Sequence, residues 1–218
     1  MINDVRDVYV YVFESLDKYS TNDYVKMATV EYLKSVKDEM LKKETVFSEE
    51  LFCIKRMSKG KPYFPNCKDI GFSVSHSGKY IVCALTNGNV GIDIEQKNRF
   101  ADESEEQFSQ RLCKIAQRFF HPQEADFVKS DPNVRFYEVF TAKESYVKLT
   151  GTGFDETLAE NSVLPVDALI PSGTENLDFV SWSSGTVNFY QTKVDNDTVL
   201  CICTEQNCHP HLFFITDL

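Results

Sequence analysis

The sequence is short of positive charge: 23 lysines and arginines stand against 33 aspartates and glutamates, giving a formal net charge of −10 and a pI near 4.9. A chain of that sign has no general affinity for nucleic-acid phosphates or anionic membrane surfaces, so any anion it binds must be held by a local basic pocket. Long apolar runs are missing as well. The longest, such as Val8 to Phe13 and Val199 to Cys203, fall far short of the roughly 20 residues a membrane-spanning helix needs. Asp4, Arg6 and Asp7 come before any of them, so no secretory signal is read and the cytoplasm is the expected compartment. The seven cysteines, at 53, 67, 83, 113, 201, 203 and 208, contain no Cys-x-x-Cys pair. An odd, scattered set points to neither a zinc site nor a disulfide framework, and mostly to reduced core thiols.

What is present suffices for a substantial core. With 218 residues, 42% hydrophobic and 13% aromatic, the chain can form one large domain or two tightly joined halves. Periodicity divides it into two stretches of similar element order, residues 1–100 and 101–218. The first reads as a strand (Val8 to Phe13), a helix from about Asn22 to Lys43, a strand around Leu51 to Met57 and a compact strand region from Gly71 to Glu95. The second reads as helices from Pro122 to Lys129 and Phe136 to Leu149, then strands at Val180 to Trp182, Val187 to Val194, Val199 to Thr204 and Leu212 to Thr216. Between them Gln96 to Gln110 is polar and charged, a solvated linker or the start of a helix.

Within the strand region, VGIDIEQ (residues 90–96) alternates Val90, Ile92 and Ile94 with Gly91, Asp93 and Glu95. Residues two apart on a strand point the same way, about 6.6 Å apart along the chain, so both carboxylates face one place. That place is either solvent, on a wet sheet face, or something positive. GFSVS, the turn HSGK, YIVCALT, a turn at Asn87-Gly88 and VGIDIE together predict a three-stranded antiparallel meander. Its first and third strands run in one direction, which brings Ser75 and His76, at the first turn, to the same end of the sheet as Asp93 and Glu95. His76 is then either an ordinary turn histidine or a neighbour of the carboxylates.

A second charged group lies in RFYEVFTAKESYVKLTGTG. Phe136, Val139, Phe140, Lys143 and Val147 follow helical spacing, and Gly151 and Gly153 supply the stop. Glu144 and Lys148 share a face of that helix, with Lys143 adjacent, and in isolation they fit a surface ion pair. Lys59-Gly60-Lys61-Pro62 is a basic turn that in isolation fits an exposed loop.

The order of these stretches, Gly60-Lys61-Pro62, Ser75-His76-Ser77, Gly91-Ile92-Asp93-Ile94-Glu95, Phe119-Phe120 with Glu124, then Lys143-Glu144-Ser145 with Lys148 and Gly151-Thr152-Gly153, closely resembles the 4′-phosphopantetheinyl transferases of the surfactin-synthetase-activating type. The resemblance is strong from Lys59 to Gly153. It implies an α+β fold, a pseudo-dimer of two similar α/β halves with the active site in the cleft between them. It further implies that Asp93, Glu95 and Glu144 bind Mg²⁺, that Glu144 and Lys148 are catalytic, and that Lys61, Pro62, Ser75, His76 and Lys143 bind coenzyme A. Glu124 reads instead as a first-turn helix residue after Pro122. Two departures stand out: STNDYVKMATVEYLKSVK has none of the family's first-helix arginines, leaving Lys26 as the remaining candidate there, and Phe140 replaces a frequent tryptophan.

The activity implied is Mg²⁺-dependent transfer of 4′-phosphopantetheine from coenzyme A to a serine of an acyl or peptidyl carrier protein, releasing 3′,5′-ADP, by a cytoplasmic monomer. Carrier proteins are commonly acidic, so docking on this acidic chain would use an apolar patch near the cleft and local lysines. The alternatives are a coenzyme A or nucleotide-binding regulator without transfer, and a metal-dependent phosphohydrolase.

Overall fold

The computed structural model describes residues 5–36, 48–98, 100–153, 159–165 and 178–216. Its elements, in chain order, are β1 (Arg6–Glu14), α1 (Thr21–Ser35), β2 (Lys55–Arg56), β3 (Pro62–Tyr63), β4 (Gly71–Ser77), β5 (Tyr80–Thr86), β6 (Gly91–Gln96), α2 (Glu105–Phe119), α3 (Pro122–Ser130), α4 (Pro132–Thr150), β7 (Val180–Ser184), β8 (Val187–Asp195), β9 (Thr198–Thr204) and β10 (Cys208–Ile215). This is a mixed α/β fold. Local chemistry sets several boundaries: Ser20 with Asp23 and Ser104 with Gln107 form capping boxes at the starts of α1 and α2. Gly151, at φ +68°, ends α4 in the left-handed region that glycine enters without a Cβ clash. No helix of the described residues is long and apolar enough to cross a membrane.

The strands make two four-stranded sheets, ordered β10-β1-β5-β4 and β6-β9-β8-β7, and a small β2-β3 ribbon. Among the described strands, the β1–β10 pairing alone is parallel. Alternation along the strands sorts side chains into layers. Val8, Val10, Val12, Val82 and Ala84 of the first sheet pack with Ile92, Ile94, Leu200 and Ile202 of the second, forming a central core between the sheets. Tyr11, Phe13, Phe72 and Leu85 point outward to α1 and to Phe52 and Phe64. Phe189, Val199, Cys201 and Cys203 meet α2, α3 and α4 on the far side.

The expected three-stranded meander does not form. β5 is hydrogen-bonded to β4 on one edge and to β1 on the other, so no edge remains for β6, which pairs with β9 in the second sheet. The Asn87-Gly88 segment therefore links two sheets instead of closing a hairpin. The turn before β5 is Gly78-Lys79, and Ser75 and His76 belong to β4 itself. The last strand makes the reverse crossing, since β10 lies beside β1. Each sheet thus carries one strand from the opposite part of the chain. The first helix ends at Ser35, and residues 37–43 of its expected span lie outside the described residues.

Candidate active site where β4, β6 and α4 meet

The site begins with a backbone contact. A Cβ on Gly91 would lie 1.9 Å from the Ser145 carbonyl oxygen and 2.5 Å from the Leu149 nitrogen, so only glycine lets β6 approach α4 this closely. That approach sets Asp93 under the last turns of α4. Lys148 Nζ donates to Asp93 Oδ1 and to Ser75 Oγ, both at 2.7 Å. The lysine of the helix motif is thereby joined to the strand motif 55 residues away, and the surface-pair reading of Lys148 does not hold.

β4 and β6 run alongside each other in the same direction as edge strands of different sheets, and serine side chains replace a backbone ladder between them. Ser73 Oγ accepts from Ile92 N–H at 3.1 Å, Ser75 Oγ donates to Asp93 Oδ1 at 2.7 Å, and Ser77 Oγ donates to Glu95 Oε2 at 2.9 Å while accepting from Gln96 N–H at 3.0 Å. Ser75 and the two carboxylates do share one end, as expected, although the third strand belongs to the other sheet. His76, one residue along from Ser75, falls on the opposite face of β4 and is exposed.

Three carboxylates crowd this corner and each resists ionising. Burial raises the Asp93 carboxyl against the pull of Lys148, and its Oδ2 is buried with no hydrogen-bond partner. Burial, then the Asp93 charge, pushes Glu95 up to about 7, with Ser77 and Lys148 acting the other way. Glu144 is raised by burial and then by Asp93. Hard oxygens with one orphaned buried atom are the donor chemistry of a small divalent cation, so the residues fit Mg²⁺ in kind. Among the described residues, however, no group of three or more His, Cys, Asp or Glu side chains is arranged to hold a metal ion. Lys148 supplies the positive charge here.

The Glu95 shift has a consequence for stability. Unfolded, this carboxyl titrates near 4.3, so between about 4.3 and 7 the folded protein keeps a proton that the unfolded chain has lost. Stability from this group is full below that window and is lost as pH rises through it; Asp93 and Glu144 act in the same direction. The melting temperature of metal-free protein should fall from about pH 5 to about pH 8, and Glu95→Gln should flatten the fall. A melting temperature that rises with pH in wild type, or an unchanged slope in Glu95→Gln, would contradict the assignment.

The remaining sequence candidates lie around this corner. Lys61, beside Pro62 at the start of β3, donates to the Leu149 carbonyl at the end of α4, and burial lowers its ammonium. Lys143 is wholly buried on another face of α4, bonded to Glu124 at 2.7 Å and to the Asn161 carbonyl at 3.2 Å. Glu124 does occupy the first turn of its helix, accepting from His121 N–H, but sequence reasoning missed its bonds to Lys143 and to Val163 N–H. Lys26 pairs with Glu49 at the surface, and Phe140 stacks on Phe136 at 5.7 Å. Ser73 and Ser77 were missed too; their signal is the every-second-residue serine spacing of GFSVSHS, at positions 73, 75 and 77, in a strand with an otherwise apolar character.

Residues 89–203 match the family model of the 4′-phosphopantetheinyl transferase superfamily. The chain is 37% identical over 108 residues to a 4′-phosphopantetheinyl transferase of Bacillus subtilis, covering 48% of this chain and 43% of that protein. It is 30% identical over 158 residues to the 4′-phosphopantetheinyl transferase gsp of Aneurinibacillus migulanus, covering 68% and 61%. Against the 4′-phosphopantetheinyl transferase Sfp of Bacillus subtilis strain 168 it is 34% identical over 108 residues, covering 48% and 43%. The matched stretches thus span less than two thirds of each relative's own length. The family match takes in β6 and α4, whereas β4 and Lys61 fall before it.

Proposed function

The chain belongs to the 4′-phosphopantetheinyl transferase superfamily, and from that premise we propose that it moves 4′-phosphopantetheine from coenzyme A to a serine hydroxyl of an acyl or peptidyl carrier protein, releasing 3′,5′-ADP, as in the surfactin-synthetase-activating type. The observation that supports this most is the 2.7 Å contact between Lys148 and Asp93, which unites the two charged motifs in one corner. In this reading the chain is a pseudo-dimer of residues 1–100 and 101–218, each half lending a strand to the other, with the active site between them. A monomer in the cytoplasm completes this reading, and seven free thiols, four of them buried, suit that reducing compartment.

Asp93, Glu95 and Glu144 would hold Mg²⁺, which when bound supplies positive charge to the pyrophosphate of coenzyme A. Glu144, its carboxyl raised by burial, accepts the proton of the carrier serine. Lys148 neutralises charge that develops on the transferred phosphate and the departing nucleotide. Lys61, Pro62, Ser75, His76 and Lys143 are proposed to contact coenzyme A. Incubation with apo carrier, coenzyme A and Mg²⁺, followed by intact mass, tests the whole: the carrier should gain one phosphopantetheine, and a carrier of unchanged mass would refute transfer.

His76 provides a narrower check. It is exposed and outside the core, so His76→Ala should fold normally. A phosphate contact made equally in ground and transition states is uniform binding, and its loss should raise KM for coenzyme A more than it lowers kcat. Steady-state kinetics showing an unchanged KM and a large loss in kcat would reassign His76 to the chemistry.

A further inference from the structure

The serines of β4 do unequal work. Ser73 bonds only to backbone, the N–H of Ile92. Ser77 bonds to backbone and to a carboxylate at once: Gln96 N–H occupies one lone pair of its oxygen, and its proton goes to Glu95 Oε2. A hydroxyl rotor with its acceptor side already taken is restricted in where it can point. The donor is therefore presented to Glu95 by two elements that cannot drift apart independently, the edge strand of one sheet and the edge strand of the other. One oxygen of Glu95, Oε2, is committed to Ser77, and the carboxylate lies close enough to Asp93 to feel its charge, while Asp93 Oδ2 is buried with no hydrogen-bond partner.

We infer that Ser77 is a positioning residue, which holds the Glu95 carboxylate beside Asp93 so that the pair offers its remaining oxygens to a divalent cation. The inference rests on the magnesium reading above and adds to it a residue outside the family-matched stretch. Partners of this kind, which orient a ligand without touching the ion, typically set metal affinity by 10- to 100-fold.

The test uses the full chain, stripped of metal, with Mn²⁺ titrated and free ion followed by electron paramagnetic resonance, and with Mg²⁺ as competitor. Ser77→Ala should weaken Mn²⁺ binding by about 10- to 100-fold. Ser77→Thr and Ser77→Val match in shape, so their comparison isolates the hydroxyl even if the alanine variant folds poorly: the threonine variant should bind more tightly by a similar factor. Ser73→Ala serves as the structural control and should lower the melting temperature while leaving Mn²⁺ affinity unchanged. Equal affinity in the threonine and valine variants would overturn the role of Ser77, as would a loss in Ser73→Ala as large as in Ser77→Ala. Wild-type protein that binds no Mn²⁺ would overturn the metal reading, and this inference with it.

Discussion

Glu144→Gln should lose about 10²- to 10⁴-fold in kcat, the range for removing a general base, without losing stability. The side chain keeps its size and gives up only its charge. In the folded protein that charge is disfavoured: burial and Asp93 both raise the Glu144 carboxyl, and Lys148, the one group that lowers it, spends its hydrogen bonds on Asp93 and Ser75. Removing a carboxylate from a corner that holds three relieves repulsion, so the melting temperature should hold or rise. The competing view makes Glu144 half of an exposed helix pair, for which the same change would cost a few tenths of a kcal/mol and leave activity intact. Carrier modification followed by intact mass, together with a thermal melt, separates these outcomes by orders of magnitude. Near-normal transfer by Glu144→Gln would remove it from the chemistry.

Most elements could be read from the chain because their signals are local. Short runs of apolar and β-branched residues marked β1, β5, β8 and β9, and Pro122 and the stripe Phe136–Val139–Lys143–Val147 marked α3 and α4. Partner choice was not legible. VGIDIEQ reads equally well as a third meander strand or as an edge strand of a second sheet, and the decision lies with β1, which takes the free edge of β5 from far along the chain. The site followed the same division. Spacing alone put Asp93 with Glu95 and Glu144 with Lys148, whereas the bond from Lys148 to Asp93 depends on how closely Gly91 lets the strand approach the helix. Serines every second residue in GFSVSHS can face water or a partner strand with equal ease, and only the crossing of β6 into the other sheet makes them hydrogen-bond partners.

Glu124→Ala should be the most destabilising single change near the site. Glu124 and Lys143 are both fully buried and bonded at 2.7 Å. The same carboxylate also accepts from His121 N–H, starting α3, and from Val163 N–H, tying down the segment that follows α4. Truncating it leaves an ammonium in the core whose remaining contacts among the described residues are the Asn161 carbonyl and the Phe120 ring. Breaking a buried pair from one side costs about 3–5 kcal/mol, which for a protein of this size lowers the melting temperature by roughly 6–20 °C. Replacing both partners has a different result. Glu124→Leu with Lys143→Met removes the stranded charge, and apolar substitutes of similar volume are often neutral or better. What remains are the backbone groups that lose a partner, of which the buried Val163 N–H costs about 1–3 kcal/mol and the part-buried His121 N–H and Asn161 carbonyl less, so the double variant should still melt above Glu124→Ala. That rescue also decides what Lys143 is for. If the lysine acts by holding α4 in place, the double variant should keep the wild-type KM for coenzyme A. If its ammonium leaves Glu124 to meet a phosphate, KM should rise despite the recovered stability. A double variant that melts no higher than Glu124→Ala would show that the carboxylate's backbone bonds, rather than its pairing with Lys143, carry the stability.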